Sequence, residues 1–454
     1  MTSLLQTVLA FVFALGVLVT FHEYGHYWVA KRLGVKILRF SVGFGRPLLR
    51  WRSGKDRTEF AIAAIPLGGY VKMLDEREGD VEPEDSHRAF NRQPVAVRAA
   101  IVSAGPLANF ALAILVYWLS YLGGVTGPKP IIGTVAPDGP SAQAGLQPGD
   151  EVRRVNDHPV ALWDNVLNHA IDAILDGEIL YLAVKHPSHG ERQVALDFSR
   201  FSIDDLSRGE FFDKAGFTPL RAHLPARVGR LIAGEAAAEA GLEVDDLLMA
   251  VDGKPIEDWV FWVETVRAHP GMPLSVEVER AGQRLTLELT PRAAEEGGQR
   301  VGRIGAEVAR PEGADTVPMA TERYGPFESL ARALGRTVDV TRTTLKFLGQ
   351  MLSGRASAEN LSGPLSIAQY AGESARLGPS RFLEFLGLVS VSLAVLNLLP
   401  VPMLDGGHLI FYLIESIARR PVPEAVQVYG QQLGLFLLLG LMGLALYNDL
   451  MRIF

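Results

Sequence analysis

Apolar residues along this chain of 454 residues are concentrated in four blocks, at 4–30, 95–123, 382–404 and 433–454. Each block has about 20 residues or more, which is the length that an α-helix needs to cross a hydrocarbon core about 30 Å thick. The pattern therefore predicts a polytopic α-helical membrane protein with four transmembrane helices and with both termini on one side. We assign these helices to residues 1–30, 95–123, 381–404 and 433–454.

The charges around the blocks predict the orientation. The first block has no basic start and no small-residue cleavage site, so we expect it to be retained as a span rather than removed as a signal peptide. Residues 31–98 contain 14 Lys and Arg, and such an excess marks a cytoplasmic loop. Segments 31–94 and 405–432 are therefore predicted to be cytoplasmic.

The long segment between the second and third blocks is acidic. Residues 124–325 carry 32 acidic and 20 basic side chains, and this balance argues against a nucleic-acid partner. The chain has no cysteine. It therefore has no disulfides, and any metal site must use histidines and carboxylates.

This external segment contains an internal repeat. The sequence AGLQPGD at 144–150 recurs as AGLEVDD at 240–246, and the same offset of 96 residues relates Trp163 to Trp259. Strand-like stretches, small residues and Gly/Asp turns occur in the same order in both copies. We therefore predict two β-rich domains, at 127–221 and 222–310.

Both repeats resemble the PDZ domain in AGLQPGDEVRRVNDHPV and AGLEVDDLLMAVDGKPI. The resemblance implies binding of peptide C-termini at loops that include Gly216-Phe217 and 302–305, with Ile304 in a pocket. The alternative is a pair of small β domains that bind no ligand.

Residues 322–380 follow the repeats. Their helical apolar spacing is interrupted by charges such as Arg336 and Asp339, which predicts amphipathic helices on the outer membrane surface rather than a fifth span.

The sequence His22-Glu23-Tyr24-Gly25-His26 lies inside the first apolar block. Positions i and i+4 share one helix face, so both imidazoles can bind one zinc ion. Glu23 is then placed to act as the general base of a hydrolysis. The alternative is that these are ordinary helix residues, but ionisable side chains within a span are costly and usually functional.

A catalytic zinc ion needs a third protein ligand. The sequence NLLPVPMLDGGH at 397–408 offers Asp405 and His408. The third predicted span crosses in the same direction as the first, so both residues reach the membrane face where His22 and His26 lie. Either residue could complete the site.

The two motifs together, HEYGH and NLLPVPMLDGGH, resemble the site-2 protease family of intramembrane zinc metalloproteases, in particular its sigma-E-regulating type. The resemblance implies a bacterial inner-membrane enzyme with Zn²⁺ held by His22, His26 and Asp405, and with His408 at a helix start or near the ligands. It also implies periplasmic PDZ-like domains and an active site near the cytoplasmic face. Its substrates would be single-span anti-sigma factors already cut once and remnant signal peptides, which the PDZ-like domains would exclude by size or bind at a new C-terminus.

The same resemblance implies substrate-binding residues. Asn397 would bind substrate, although it could also stabilise an oxyanion or join two spans. Pro400 and Pro402 break the helix and leave carbonyls that a substrate strand could pair with. Residues 37–73 would form a membrane-reentrant β-hairpin that holds substrate near Gly43 and Phe44, and the alternative is a plain cytoplasmic hairpin.

The small residues of SAGPLANF at 103–110 in the second span are predicted to allow close helix packing.

Two other functions are alternatives to a protease. A membrane-anchored scaffold would have no reason to retain Glu23 between the histidines. A zinc transporter would be expected to carry ionisable residues in several spans, and the second span has none between Ile101 and Gly123.

Overall fold

The computed structural model describes residues 2–197, 201, 211–221, 225–296, 299–309, 317–354, 357 and 362–453. The predicted domain boundaries at 222 and 310 lie outside the described residues. The chain forms two compact units. The membrane unit contains the chain up to Val125 and from Thr321 to Asp449, and the repeat unit contains the middle, from Thr126 to Ala320, together with the residues after Asp449.

The described helices are numbered in chain order. They are α1 Thr2–Arg32, α2 Val95–Gly123, α3 Pro140–Gln143, α4 Trp163–Asp176, α5 Phe211–Ala215, α6 Ala236–Glu239, α7 Trp259–Ala268, α8 Pro326–Leu352, α9 Pro364–Leu377, α10 Pro379–Asn397, α11 Asp405–Ala418 and α12 Glu424–Ile453.

The described strands are numbered in the same way. They are β1 Ile37–Ser53, β2 Thr58–Met73, β3 Val125–Pro128, β4 Ile132–Val135, β5 Glu151–Val155, β6 His158–Pro159, β7 Ile179–His186, β8 Gly190–Asp197, β9 Phe217–Pro219, β10 Val228–Leu231, β11 Leu247–Val251, β12 Lys254–Pro255, β13 Leu274–Arg280, β14 Gln283–Leu289, β15 Arg292–Glu296, β16 Gln299–Arg303, β17 Ala306–Val308 and β18 Met319–Glu322.

Four helices in the described part of the chain are long and apolar enough to cross a membrane, at Leu4–Arg32, Val95–Gly123, Pro379–Leu398 and Glu424–Met451. The third helix ends before the predicted 404, because Pro400 and Pro402 cannot continue it and Met403 has a φ of +87°. The fourth begins at Glu424, directly after Pro423, rather than at 433. The segment 405–432, which was predicted as cytoplasmic without an assigned structure, contains the helix α11.

Helices α1 and α2 approach closely because small residues line their contact. A Cβ at Gly25 would lie 2.2 Å from the carbonyl oxygen of Ala104 and 2.8 Å from Ala108 Cβ, so α2 packs directly onto the α1 backbone. Small residues at membrane helix contacts allow this approach. A core of buried apolar side chains continues the packing to α10, and it contains Ala14, Leu18, Leu112, Val116 and Leu386.

The segment after α1 forms a sheet that is more complex than the predicted hairpin. The first part of β1 pairs with both halves of β2, since Phe40 lies opposite Phe60 on one side and Val71 on the other. The second part of β1 pairs only with the first half of β2, as in Trp51 opposite Phe60. Two long bent strands therefore give four antiparallel segments. Phe40 and Phe60 pack around Tyr27 of α1, with ring centroids 5.6 Å from it.

The repeat unit is built from two copies of one arrangement. One four-stranded sheet has the order β6-β5-β7-β8 and the other β12-β11-β13-β14. Strands β5 and β11, the short helices α3 and α6, and the starts of α4 and α7 all differ by 96 residues. Asn156 and Asp252 occupy the same left-handed turn position, with φ of 51° and 48°.

Helices α8 and α9 occupy the segment predicted at 322–380 to be amphipathic. Ala333 and Val340 of α8 are buried in a cluster with Tyr117 of α2, whereas Phe327 and Leu352 are almost fully exposed. Asp449 of α12 caps α9. Its carboxylate accepts hydrogen bonds from the backbone N–H groups of 363, 365 and 366 at 2.9–3.1 Å.

An equivalent buried aspartate ends the shared AGL motif in each repeat. Asp150 and Asp246 are 0% and 1% exposed. Asp246 accepts a hydrogen bond from the Glu243 N–H at 2.8 Å and two from the Arg280 guanidinium at 2.7 Å. Burial acts to raise the pKa of Asp246, but the bonds from Arg280 and Glu243 outweigh it, and the pKa lies below its ordinary value.

We predict that Asp246→Asn destabilises the second repeat by about 2 kcal/mol at neutral pH, because Arg280 loses a buried charged partner. A pKa lowered in the folded state contributes stability above the unfolded value. The difference in stability between wild type and Asp246→Asn should therefore be largest above about pH 5 and should decrease below about pH 4. Hydrogen-exchange mass spectrometry of β11 in the full chain measures both the loss of stability at neutral pH and its dependence on pH. Glu307→Gln, which removes the partner of the exposed Arg230, is the control and should change exchange far less. Equal protection of β11 in Asp246→Asn and wild type at pH 7 would contradict the prediction.

Candidate active site

The two histidines of the HEYGH motif lie one turn apart on the same face of α1. Their Nε2 atoms are 3.2 Å apart, and their side chains are 12% and 11% exposed. The helix continues for 31 residues through the motif, so its regular backbone fixes this spacing. The motif therefore presents two ring nitrogens toward one point.

Asp405 brings a carboxylate to the same point. It is the first residue of α11, and its Oδ2 lies 3.2 Å from His22 Nε2 and 3.5 Å from His26 Nε2. Tight backbone packing fixes this helix start. A Cβ at Gly406 would lie 2.2 Å from the Leu399 carbonyl oxygen, and one at Gly407 would lie 2.4 Å from that of Val401. Only glycine fits at these two positions, so the sequence LDGG determines where Asp405 lies.

The three side chains fit a metal ion. His22, His26 and Asp405 each offer one ligand atom, and these atoms all lie within 4.8 Å of one another. Asp405 Oδ2 is buried and has no hydrogen bond of acceptable geometry, as expected for an atom that shares a cation with its neighbours. Two imidazoles and one carboxylate form a common donor set of catalytic zinc sites. His408 is not a member of this group among the described residues.

Helix α2 closes the site from the other side. A Cβ at Gly105 would lie 2.3 Å from His26 Nε2 and 2.8 Å from His22 Nε2, so α2 leaves room for the rings only because residue 105 is glycine. The SAGPLANF segment therefore packs on the site itself, as well as on α1.

The remaining ring nitrogens have partners on α2. His26 Nδ1 lies 2.8 Å from the carbonyl oxygen of Ile101, and His22 Nδ1 lies 3.1 Å from Asn109 Nδ2. Such partners fix the orientation of metal-ligating imidazoles. Sequence reasoning missed Asn109 as a site residue. The sequence feature that could have indicated Asn109 is a polar amide side chain within a predicted span that is otherwise largely apolar.

Glu23 lies beside the histidines and next to the sheet. A Cβ at Gly69 of β2 would lie 3.1 Å from Glu23 Cγ, and the carboxylate lies within interaction range of the Val71 backbone, His22 and His26. The sheet segment 69–73 thus borders the carboxylate.

The residues predicted to bind substrate in the membrane unit lie in two places, at and after the end of α10 and in β1. Asn397 ends α10 and is half-buried, and its side chain makes no hydrogen bond within the described part of the chain. Pro400 and Pro402 lie in the non-helical stretch before Asp405. Gly43 has a φ of +91° in the bend of β1, and the Phe44 ring stacks on Tyr70 at 6.2 Å, one residue from Gly69.

Ile304, which was predicted to lie in a pocket, is buried in the second repeat. Its side chain is 7% exposed and belongs to the hydrophobic core of the second repeat, and its carbonyl oxygen accepts a hydrogen bond from Ala237 N–H at 2.8 Å. A shallow groove nearby is lined by Gly229, Arg230, Asp245, Trp259 and residues 306–309. In the first repeat, Phe217 stacks on Trp163 with centroids 6.0 Å apart.

A His-x-x-x-His pair with an adjacent glutamate and a distant aspartate, buried between apolar helices, defines the class of membrane-embedded metalloproteases. The model of peptidase family M50 matches residues 10–441. The chain is 41% identical over 458 residues to the regulator of sigma-E protease RseP of Escherichia coli, with 100% of both chains covered. It is 43% identical over 455 residues to a zinc metalloprotease of Neisseria meningitidis, covering 99% of this chain and 100% of the relative. A zinc metalloprotease of Vibrio cholerae is 40% identical over 454 residues, with full coverage of both.

The chain belongs to peptidase family M50, the site-2 proteases. It is a zinc metalloprotease, and the predictions of family, enzyme class and Zn²⁺ cofactor are confirmed.

We predict that Gly105→Ala lowers the zinc content of the purified protein to well below one ion per chain, because the new methyl group would overlap the ligand nitrogens. Alanine is favoured over glycine within a helix by about 1 kcal/mol, so helix propensity cannot cause the loss. Gly440→Ala is the matched control, since a Cβ there meets nothing within 4 Å. Elemental analysis of both variants is the measurement. Full zinc occupancy in Gly105→Ala would show that α2 does not confine the ligands.

Proposed function

We propose that this chain cleaves peptide bonds within the membrane-spanning segments of single-span proteins, with His22, His26 and Asp405 as the zinc ligands and Glu23 as the general base. The proposal rests on one observation. Three possible ligand atoms from α1 and α11 lie together, and the carboxylate of Glu23, which is not one of the three, lies beside them. A scaffold would have no use for Glu23 at that position.

The bound zinc ion would supply Lewis acidity, which polarises a carbonyl and makes water more acidic. The chain's own groups supply the rest. Glu23 takes a proton from the attacking water and delivers it to the leaving amine, which is the usual work of a carboxylate in this position. The partners of His22 and His26 on α2 hold the ring planes, so the ligands need no rearrangement during turnover.

Asn397 and the loop that follows are proposed to bind substrate. A helical segment shields its peptide bonds with its own hydrogen bonds, so the substrate must unwind before it is cut. Asn397 has no partner among the described residues and can donate to a substrate carbonyl. The carbonyls around Pro400 and Pro402 offer pairing partners for an extended strand. Gly43 and Phe44, at the bend of β1, are proposed to contact the substrate as well.

The substrates that we propose are anti-sigma factors already cut once outside the membrane, together with remnant signal peptides, as part of an envelope stress response. The relatives' names support regulation of sigma-E. We place the enzyme in the inner membrane with the repeats in the periplasm as PDZ-like domains, and with the active site near the cytoplasmic face. The repeats would restrict access by size or bind a new C-terminus, at the groove beside Trp259 rather than through the buried Ile304 side chain.

We predict that Glu23→Gln abolishes cleavage but retains zinc, because the amide cannot carry the proton and is not a ligand. Loss of a general base typically lowers the rate by about 10²- to 10⁴-fold. The assay incubates purified protein in detergent with a tagged single-span substrate and counts products over time. Cleavage by Glu23→Gln at the wild-type rate would contradict the proposed mechanism.

Asp405→Ala should lose both zinc and activity, whereas His408→Ala should keep its zinc, because only Asp405 lies with the histidines. Elemental analysis of the two purified variants tests the ligand set. Undiminished zinc in Asp405→Ala together with loss in His408→Ala would reassign the third ligand.

A further inference from the structure

Asn109 is fully buried in α2 and contacts two other helices. Its side-chain Nδ2 lies 3.1 Å from His22 Nδ1 on α1, and its backbone oxygen accepts a hydrogen bond from the Ser390 hydroxyl on α10 at 2.8 Å. Its side-chain Oδ1 is buried and has no hydrogen-bond partner within the described part of the chain. An unpaired buried oxygen costs free energy, so its presence beside a ligand calls for an explanation.

The two histidines differ in what α2 offers to their second ring nitrogen. His26 Nδ1 faces the carbonyl oxygen of Ile101, which can only accept. The proton of neutral His26 therefore resides on Nδ1, and Nε2 keeps its lone pair for a metal ion. His22 Nδ1 faces an amide instead. An asparagine side chain can present either a donor or an acceptor to the same neighbour by turning over about its last bond.

In the arrangement seen here, the donor side of Asn109 faces His22. A donor at Nδ1 requires a lone pair on Nδ1 and places the ring proton on Nε2, which lies among the ligand atoms, 3.2 Å from His26 Nε2. A metal ion at Nε2 requires the opposite tautomer, with the proton on Nδ1. Turning the amide over would then bring the unpaired Oδ1 to accept that proton.

We infer that Asn109 is a positioning residue for zinc binding, and that its side-chain oxygen accepts the Nδ1 proton of His22 when Nε2 is a ligand. This inference rests on the proposed role of His22 as a zinc ligand. In this role the amide nitrogen of Asn109 contacts His22 without the metal ion, and the amide oxygen contacts it when the metal ion is bound. The inference therefore explains why Oδ1 is unpaired here, because Oδ1 accepts a hydrogen bond only from the tautomer of His22 that binds metal. The bond from Ser390 holds the Asn109 backbone, so only the end of the side chain needs to move.

The test compares three variants of the full-length protein in detergent. Asn109→Leu keeps the size of the side chain but removes both hydrogen-bonding atoms. Asn109→Asp keeps an acceptor and removes the donor. Ser120→Ala is the matched control, because Ser120 is also fully buried in α2 and bonds another helix, through the Ser380 carbonyl oxygen at 3.1 Å, at a distance from the site.

Titration of each zinc-depleted protein with Co²⁺, followed by visible absorbance, gives the metal affinity and reports the ligand field. Loss of a hydrogen-bond partner of a ligating histidine typically lowers metal affinity about 10- to 100-fold. We expect this loss and a shifted Co²⁺ spectrum in Asn109→Leu, recovery of affinity to within a few-fold of wild type in Asn109→Asp, and no change in Ser120→Ala.

Wild-type affinity and spectrum in Asn109→Leu would overturn the inference. Equal losses in Asn109→Leu and Asn109→Asp would also overturn it, because the side chain would then act through packing alone. His22→Ala separates this outcome from failure of the proposed function. If His22→Ala binds Co²⁺ as wild type does, the ligand assignment itself is wrong, whereas an unchanged Asn109→Leu beside a defective His22→Ala rejects only the role of Asn109.

Discussion

The burial of three polar ligands between apolar helices is the constraint on which the rest of the membrane unit depends. Imidazoles and a carboxylate in such surroundings are costly unless each donor and acceptor has a partner. The partners come from α2, which reaches the rings only because Gly25 and Gly105 carry no side chain. The polar site therefore requires α1 and α2 to approach closely, and small residues in both helices allow this approach.

Much of this site could be predicted from the sequence because its parts are local. A His-x-x-x-His pair on a helix determines its own geometry, and the parity of the spans brings Asp405 to the same membrane face. The structure indeed gathers His22, His26 and Asp405 and leaves His408 outside. Asn109 could not be found in this way. Its role depends on the rotation of α2 about its axis relative to α1, which a span of nearly uniform apolar character does not reveal.

The sheet between α1 and α2 shows a second limit of sequence reasoning. Alternating residues at 37–73 correctly indicated strands, but strand pairing is a long-range property that alternation does not determine. Bends at Gly43 and near Gly68, both with positive φ, let one strand pair on two sides, so two strands give four segments. The pair His22 and His26 was easier to predict because its spacing follows from a single helix.

The loop before α11 couples metal binding to the proposed substrate contacts. Asn397 and Asp405 are eight residues apart, and the stretch between them curls back on the start of α11. A Cβ at Gly434 of α12 would lie 2.0 Å from the Pro402 carbonyl oxygen, so a third helix also confines the loop. A chain held this tightly cannot shift its carbonyls without moving Asp405. The glycines that position Asp405 therefore also constrain the loop that is proposed to pair with substrate, because one continuous piece of backbone joins Asp405 to that loop.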